Sequence, residues 1–331
     1  MGVIATLTAG FETVNRRLWL LLFPISLDSL LWCGPQVSIA PLVRQAAAWW
    51  LTSPMMSAYS PQQIAALRQG LVEFARSFNL LSLLSLMLPD RDVLFRLLTH
   101  VFTNILGVPV LAGHRNGAVA VAPIQLPAIE LSDPGSLAVM TIGLGLAGLF
   151  LNALFLSLMA QIVRDNEVQV PALLRRVGLN AANIGAYLAL GGVFLVVVGL
   201  PLLVLALASF LANPMIGVML VLIPWLWLGF YLFLAPSAML VSEASPLRAM
   251  WYSFNTVRVD LWRTLAFIGS VSVIQAGVSV LWQPLMAWPW GVVIGIMGNA
   301  YVSTGLVAAT MILYNERYRE WQEIVMAAGP R

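Results

Sequence analysis

The sequence predicts an all-α membrane protein, a polytopic bundle of about six transmembrane helices with an external insert of amphipathic helices. Two observations lead to this fold class. Of the 331 residues, 60% are hydrophobic and only 9% are charged, whereas soluble domains carry about 25% charged residues. Several apolar stretches also reach roughly 20 residues, the length that a helix needs to cross the hydrocarbon core of a bilayer. The composition therefore rules out a water-soluble fold.

Six stretches have this length, at about 18–39, 136–161, 184–211, 215–241, 264–283 and 290–313. The first is the least regular, because Pro24, Asp28 and Pro35 interrupt it. It is also too long for the apolar part of a signal peptide, so we interpret it as a retained helix. The predicted organisation has four parts: a tail with the first helix (1–39), the external insert (40–133), a five-helix transmembrane bundle (134–313) and a cytoplasmic tail (314–331).

The distribution of arginine predicts the orientation, because cytoplasmic loops of membrane proteins are enriched in Lys and Arg. If the N-terminus is inside, every internal piece carries arginine; these pieces are 1–17, 162–183, 242–263 and 314–331. The short external loops, 212–214 and 284–289, carry no charge. We therefore expect a plasma-membrane protein, in a bacterial inner membrane, with both termini in the cytoplasm. Long translocated regions obey the rule poorly, so the arginines of the insert do not count against this topology.

The insert has helical signals of its own. Ser60 and Gln63 flank Pro61 and Gln62 as a capping box, and apolar residues then recur at helical spacing from Ile64 to Leu81. This pattern predicts a helix over 61–81, with Ile64, Leu67, Leu71, Phe74 and Phe78 on its buried face. A second helix is predicted from Asp90 to Gly107.

We expect these helices to lie on the outer membrane surface, with Trp49 and Trp50 at headgroup depth, because Arg96 and His100 make a mid-bilayer position costly. The alternative is a membrane hairpin formed by residues 78–112.

Asp28 is the most informative single residue, because a carboxylate at the centre of a bilayer costs roughly 2.5–3.5 kcal/mol. It should face the interior of the protein and have a polar partner. Asn152, Gln275 and Asn299 are the other candidate intramembrane polar residues, each able to bridge helices. Two hypotheses remain open for Asp28: a cation, proton or substrate site, or a structural hydrogen bond.

Small residues line one face of the last predicted span. Gly291, Gly295, Asn299 and Ser303 recur at every fourth position, and such spacing lets helix backbones approach closely. We expect a helix-packing stripe there, within the bundle or between subunits. A weak internal duplication is also indicated, because Pro171 and Asn180 have the same spacing as Pro246 and Asn255.

One run of residues resembles a known family. The run comprises Phe233-Leu234-Ala235-Pro236, then Glu243, Ala249, Ser253 and Trp262-Arg263. It is similar to the membrane domain attached to some bacterial glycerophosphodiester phosphodiesterases and to related membrane families. The resemblance covers about 140–313 and implies a helical membrane module. It does not imply the phosphodiesterase activity, which belongs to a separate soluble barrel domain.

Function is constrained mainly by what the sequence lacks. It contains no nucleophile elbow, phosphate-binding loop, dinucleotide fingerprint or zinc-protease motif. His100 and His114 have no metal-ligand spacing, and no basic run indicates nucleic acid. We expect no enzyme activity and no cofactor. The favoured hypothesis is a membrane scaffold or assembly module, with the lipid bilayer and another membrane protein, or a second copy of this chain, as partners. The alternative is a small-solute or ion transporter that uses Asp28 in a polar cavity.

Overall fold

The computed structural model describes residues 2–51, 53, 60–86, 107–111 and 126–327, and these are almost entirely helical. Five of the described helices are long and apolar enough to cross a membrane: Pro134–Asp165, Val170–Ala206, Met215–Val241, Leu261–Leu285 and Pro289–Ala327. A shorter apolar helix covers Leu18–Cys33. The protein is therefore a membrane-type helical bundle.

The helices are numbered in chain order. Those before the five-helix bundle are α1 (Val3–Asn15), α2 (Leu22–Cys33), α3 (Ala40–Leu51) and α4 (Pro61–Ser77). The others are α5 (Pro134–Asp165), α6 (Val170–Phe194), α7 (Leu200–Ala212), α8 (Pro214–Leu232), α9 (Ala235–Val241), α10 (Pro246–Val259), α11 (Leu261–Leu285) and α12 (Pro289–Ala327). Short 3-10 helices cover Leu18–Leu21 and Leu80–Ser85.

Local chemistry explains several of the helix ends. The carboxylate of Asp133 accepts hydrogen bonds from the backbone N–H groups of Gly135 and Ser136, at 2.8 and 2.7 Å, and so caps α5. These bonds, the one from the Ser136 backbone above all, lower the pKa of Asp133. α5 ends at Asn166, which adopts the left-handed conformation with φ 58°.

Helices α6 and α7 form one continuous helix through a wide π turn at Leu195–Gly199. Pro201 follows this turn and has no N–H to donate to the preceding turn of helix. The wider turn accommodates the ring and the missing hydrogen bond without breaking the helix.

Helix α12 is the central element. Of its most apolar stretch, 67% is buried, whereas none of the corresponding stretch of Val170–Ala206 is. α1 packs closely along α12: a Cβ atom built at Gly10 would lie 2.6 Å from the Cβ of Ala309 and from the carbonyl oxygen of Gly305. The hairpin of α6 to α8 lies at the periphery and exposes long apolar surfaces.

The insert begins and ends at one place. Strand β1 (Val37–Ser38) pairs in parallel with strand β2 (Ile129–Glu130), so that Val37 lies opposite Ile129. The fold is therefore nearly rather than strictly all-α. The short pairing fixes the two ends of the insert to each other.

The structure differs from three sequence-based boundaries. The predicted first span over 18–39 ends at Cys33, because Gly34 adopts an extended conformation after α2. The predicted helix over 61–81 ends at Ser77, and Asn79 starts a separate 3-10 helix. Residues 314–327 of the predicted tail are helical, since α12 continues without a break to Ala327. The second predicted insert helix, over 90–107, lies outside the described residues apart from its last position.

The four pieces predicted to be cytoplasmic are joined by polar contacts. Arg17 donates to the side-chain oxygen of Asn166 at 3.0 Å. Arg164 forms an ion pair with Glu243. A third contact joins Arg317 to Asp260, with 3.6 Å between their nearest nitrogen and oxygen atoms. These pieces therefore lie at the same end of the bundle.

An internal repeat links the N-terminal region to α10 and α11. At a constant spacing along the chain, the residues Phe11, Thr13, Val14, Leu18, Trp19, Leu22 and Ile25 match Phe254, Thr256, Val257, Leu261, Trp262, Leu265 and Ile268. The structure repeats as well, because the buried face of α1 (Thr6, Gly10, Val14) corresponds to that of α10 (Ala249, Ser253, Val257). Each copy is an amphipathic helix, a break and an apolar helix.

Candidate functional site

Asp28 lies on α2 and is 1% exposed, so its side chain faces the interior of the protein. Its Oδ2 atom accepts a hydrogen bond from the backbone N–H of Leu111, at 2.7 Å. Leu111 belongs to the insert, and it packs against a small apolar cluster that includes Trp32 of α2 and Ile296 of α12. The carboxylate therefore holds a backbone segment of the insert between two helices.

Asn152 on α5 also binds backbone groups of the insert. It is fully buried, and its Nδ2 atom donates to the carbonyl oxygens of Leu84, at 2.9 Å, and of Gly148, at 2.6 Å. Its Oδ1 atom accepts from the backbone N–H of Val108. One side chain thus binds the 3-10 helix Leu80–Ser85 and the segment 107–111 to α5.

Asn79 completes the set from within the insert. Its Oδ1 atom accepts from the N–H of Leu81, at 3.1 Å, and from the N–H of Val37, at 3.0 Å. It therefore caps the 3-10 helix and ties it to strand β1. We refer to Asp28, Asn79 and Asn152 as the polar anchor, and to residues 79–86 and 107–111 as the anchored segments.

Two glycines allow the anchored segments to approach this closely. A side chain at Gly148 of α5 would collide with the carbonyl oxygen of Leu83. One at Gly107 would collide with the carbonyl oxygen of Ser85. The backbones are therefore in direct contact, and no room is left for a Cβ atom at either position.

The polar anchor provides hydrogen-bond partners for backbone groups that are buried in the protein. Non-helical backbone deep in a membrane protein is tolerated where protein surrounds it and satisfies its polar groups. The anchored segments are largely buried, and the polar anchor supplies hydrogen bonds to their N–H and carbonyl groups. The described parts of 78–112, residues 78–86 and 107–111, therefore pack against the bundle helices α2 and α5.

The other two predicted polar residues form a separate group. The side-chain nitrogen of Gln275 on α11 donates to the hydroxyl of Ser303 on α12, at 3.3 Å. That hydroxyl donates to Asn299, also at 3.3 Å. The structure therefore places the four predicted polar residues in two groups. Asp28 and Asn152 bind the insert, whereas Gln275 and Asn299 belong to a hydrogen-bonded link between α11 and α12.

The small-residue stripe of α12 packs against other parts of the same chain. A side chain at Gly291 would collide with the carbonyl oxygen of Leu285 in the turn before α12. A Cβ atom at Gly295 would lie 3.1 Å from a terminal methyl carbon of Leu111. The stripe thus provides space for the α11–α12 turn and for one of the anchored segments.

Asn79 was not singled out from the sequence. Glu243 was named only as part of the resemblance, and its ion pairs with Arg164 and Arg176 were not predicted. A local signal for Asn79 does exist, because an Asn before the run Leu80-Leu81-Ser82-Leu83-Leu84-Ser85 is typical of a cap on a short buried turn. Glu243 has φ 52°, a backbone conformation that no sequence pattern revealed. Its carboxylate is held by the guanidinium groups of Arg164 and Arg176.

Among the described residues, no three His, Cys, Asp or Glu side chains come together as a metal site requires. No protein-family model matches the chain, and no curated protein or solved structure is significantly similar to it. The resemblance to the phosphodiesterase-associated membrane domain therefore remains a prediction from the residues quoted for it.

Proposed function

We propose that the chain is a non-catalytic multi-pass membrane protein, a scaffold or assembly module whose helical bundle holds segments of the insert 40–133 against it. One observation carries this proposal. Asp28 and Asn152, two polar side chains within apolar helices, form hydrogen bonds with the backbone of the insert. Their polar groups serve the internal architecture, which favours a structural role over a transport role.

The same proposal includes six spans and two cytoplasmic termini in the plasma membrane. It is supported by the polar contacts that bring the arginine-bearing pieces 1–17, 162–183, 242–263 and 314–327 to one end of the bundle. Cytoplasmic loops are enriched in arginine, so this end faces the cytoplasm. The paired strands at the borders of the insert then lie on the other side.

A scaffold also needs a surface for its partner. The helix Val170–Ala206 has no buried residue in its most apolar stretch, and the bundle leaves the outer faces of α7 and α8 uncovered. Lipid covers these faces when no partner is bound. A membrane helix of another protein, or of a second copy of this chain, would bind there through van der Waals packing.

The second candidate function is transport of a small solute or ion with Asp28 as the binding group. The observation in its favour is the burial of a carboxylate within an apolar helix, which is typical of proton and cation sites. A transport role requires Asp28 to change its partner or its protonation during the cycle. A structural role requires it to remain bonded to Leu111.

Purified protein in proteoliposomes separates the two functions. The scaffold proposal predicts no pH-dependent ion flux above that of empty liposomes, for the wild type and for Asp28→Asn alike. Asp28→Asn keeps an acceptor for the Leu111 N–H and should unfold close to the wild-type temperature. Asp28→Leu strands this N–H and should lose about 1–3 kcal/mol of stability.

Glu12→Gln is the control for these variants, because Glu12 is an exposed carboxylate on α1. It should change neither flux nor stability. A flux that Asp28→Asn abolishes, while the unfolding temperature stays at the wild-type value, would establish transport and overturn the scaffold proposal.

A further inference from the structure

A groove lies at the end of the bundle that carries the arginines, beside the first four turns of α6. Its volume is about 1060 Å³. One face of α6 lines it, through residues spaced three or four positions apart: Ala172, Arg175, Arg176, Leu179, Asn180 and Asn183. The loop before α6 and Glu243 close the other side. The groove is larger than a single small anion requires and falls at the upper end of the range for small-molecule sites.

The charge within the groove is positive on balance. Arg175 and Arg176 both line it, against the single carboxylate of Glu243. Glu243 is already shared, since it forms ion pairs with Arg164 and Arg176. In the part of the chain that the structure describes, Arg175 forms no ion pair. Its guanidinium group is therefore available to an anion from outside the chain.

The groove is amphipathic along its length. The same face of α6 continues beyond Asn183 with the exposed residues Ala186, Leu190 and Phe194. These belong to the apolar helix Val170–Ala206, which is long enough to cross a membrane. A ligand that follows this face meets two guanidinium groups first, then two amide side chains, and then a purely apolar surface.

We propose that this groove binds an anionic phospholipid, with its phosphate at Arg175 and its acyl chains along Ala186, Leu190 and Phe194. Guanidinium groups bind phosphate oxygens through paired, charge-assisted hydrogen bonds. The amide nitrogen of Asn183 suits the ester carbonyl groups between phosphate and chains, which accept hydrogen bonds. Asn180 stays fixed beside the groove, because its side-chain nitrogen donates to Ser157 at 2.7 Å. This inference holds for a scaffold and for a transporter alike.

The same phosphate chemistry could come from a soluble phosphate compound, and the experiment separates the two sources. Delipidated protein in detergent is titrated with phosphatidylglycerol, with phosphatidylcholine and with inorganic phosphate, and bound lipid is counted by native mass spectrometry. The proposal predicts tight binding of one phosphatidylglycerol and at least tenfold weaker binding of phosphatidylcholine. Inorganic phosphate at millimolar concentration should not displace the lipid. If it does, the site is one for a soluble phosphate compound and the lipid proposal is wrong.

Two matched variants test the assigned residue. Arg175→Gln removes the available guanidinium group and should weaken phosphatidylglycerol binding five- to tenfold while leaving phosphatidylcholine binding unchanged. Arg248→Gln is the control, because Arg248 is an exposed arginine that does not line the groove. It lies near the start of α10, a helix that also has a proline in its first turn. Equal losses in the two variants would show general attraction of lipid to basic residues and would overturn the proposal.

Discussion

At the scale of single residues, the polar anchor shows why a few polar side chains occur in otherwise apolar helices. Asn152 is fully buried and makes three hydrogen bonds to backbone groups. A buried backbone group that loses its partner costs about 1–3 kcal/mol. The anchor therefore stabilises the insert mainly because the alternative, unpaired backbone in an apolar interior, is so unfavourable.

The first prediction concerns Asn152. Asn152→Ala removes the partners of Leu84 and Val108 together and should lower the free energy of unfolding by about 1–3 kcal/mol. Thermal unfolding in detergent measures the effect. Asn255→Ala is the control, because the Asn255 side chain bonds only to the carbonyl oxygen of Trp251 in its own helix, at 2.8 Å, among the described contacts. If the two variants lose the same stability, Asn152 has no special role.

At the scale of elements, a helix boundary could be predicted well where residues next to it in the sequence determine it. The apolar run at 136–161 predicts α5 to within a few residues, because Asp133 and Asn166 end it locally. The first span was predicted less well. The burial of Asp28 beside a polar partner was predicted and is confirmed, but the partner, the backbone N–H of Leu111, lies 83 residues away in sequence. No local pattern reveals such a partner.

The anchored segments illustrate the same limit. The helical period from Ile64 to Leu81 runs past the true end of α4 at Ser77, because the 3-10 helix that follows is apolar too. Apolar spacing alone does not distinguish a surface helix from a segment buried against α5. Asn79 and Gly148 decide between them, and their role becomes visible only with the tertiary contacts.

The second prediction concerns the contact between α1 and α12. Gly10 touches Gly305 and Ala309, and a side chain there has no space. Gly10→Val should force the helices apart and lower stability by about 1–3 kcal/mol. Gly143→Val is the control, because no atom lies within 4 Å of a Cβ atom built at Gly143 on α5. A Gly10 variant as stable as the Gly143 variant would show that α1 does not pack on α12.

At the scale of the whole molecule, the bundle is organised around α12, with a repeated unit packed on it. The amphipathic helices α1 and α10 have equivalent buried faces and are each followed by an apolar helix. The sequence hypothesis placed a duplication between 165–180 and 245–263. The match between 11–25 and 254–268 is closer and was missed. This repeat can be recognised from the sequence alone, because identical residues recur at a constant spacing.

The third prediction concerns topology. In a variant whose native Cys33 is replaced by Ser, a cysteine placed at Gln62 should react with a membrane-impermeant reagent added to whole cells. Cysteines at Arg176 and Arg248 should react only after the membrane is permeabilised. The physical reason is the arginine bias of the pieces that contain these two positions. Labelling of either arginine position in intact cells would contradict six spans with cytoplasmic termini.

The most direct test of the central claim, that the bundle holds the insert through its anchored segments, is a cross-link in native membranes. In the Cys33→Ser background, cysteines at Leu111 and Gly295 should be joined by a short thiol-specific cross-linker, because a terminal methyl carbon of Leu111 lies 3.1 Å from a Cβ atom built at Gly295. A pair at Asn15 and Tyr301, whose side chains are joined by a hydrogen bond of 3.0 Å, reports the α1–α12 contact, and a pair at Leu111 and Gly143 is the negative control. The account predicts efficient cross-linking of the first two pairs. If the Leu111–Gly295 pair reacts no better than the negative control while the Asn15–Tyr301 pair reacts fully, the insert is not held in the bundle.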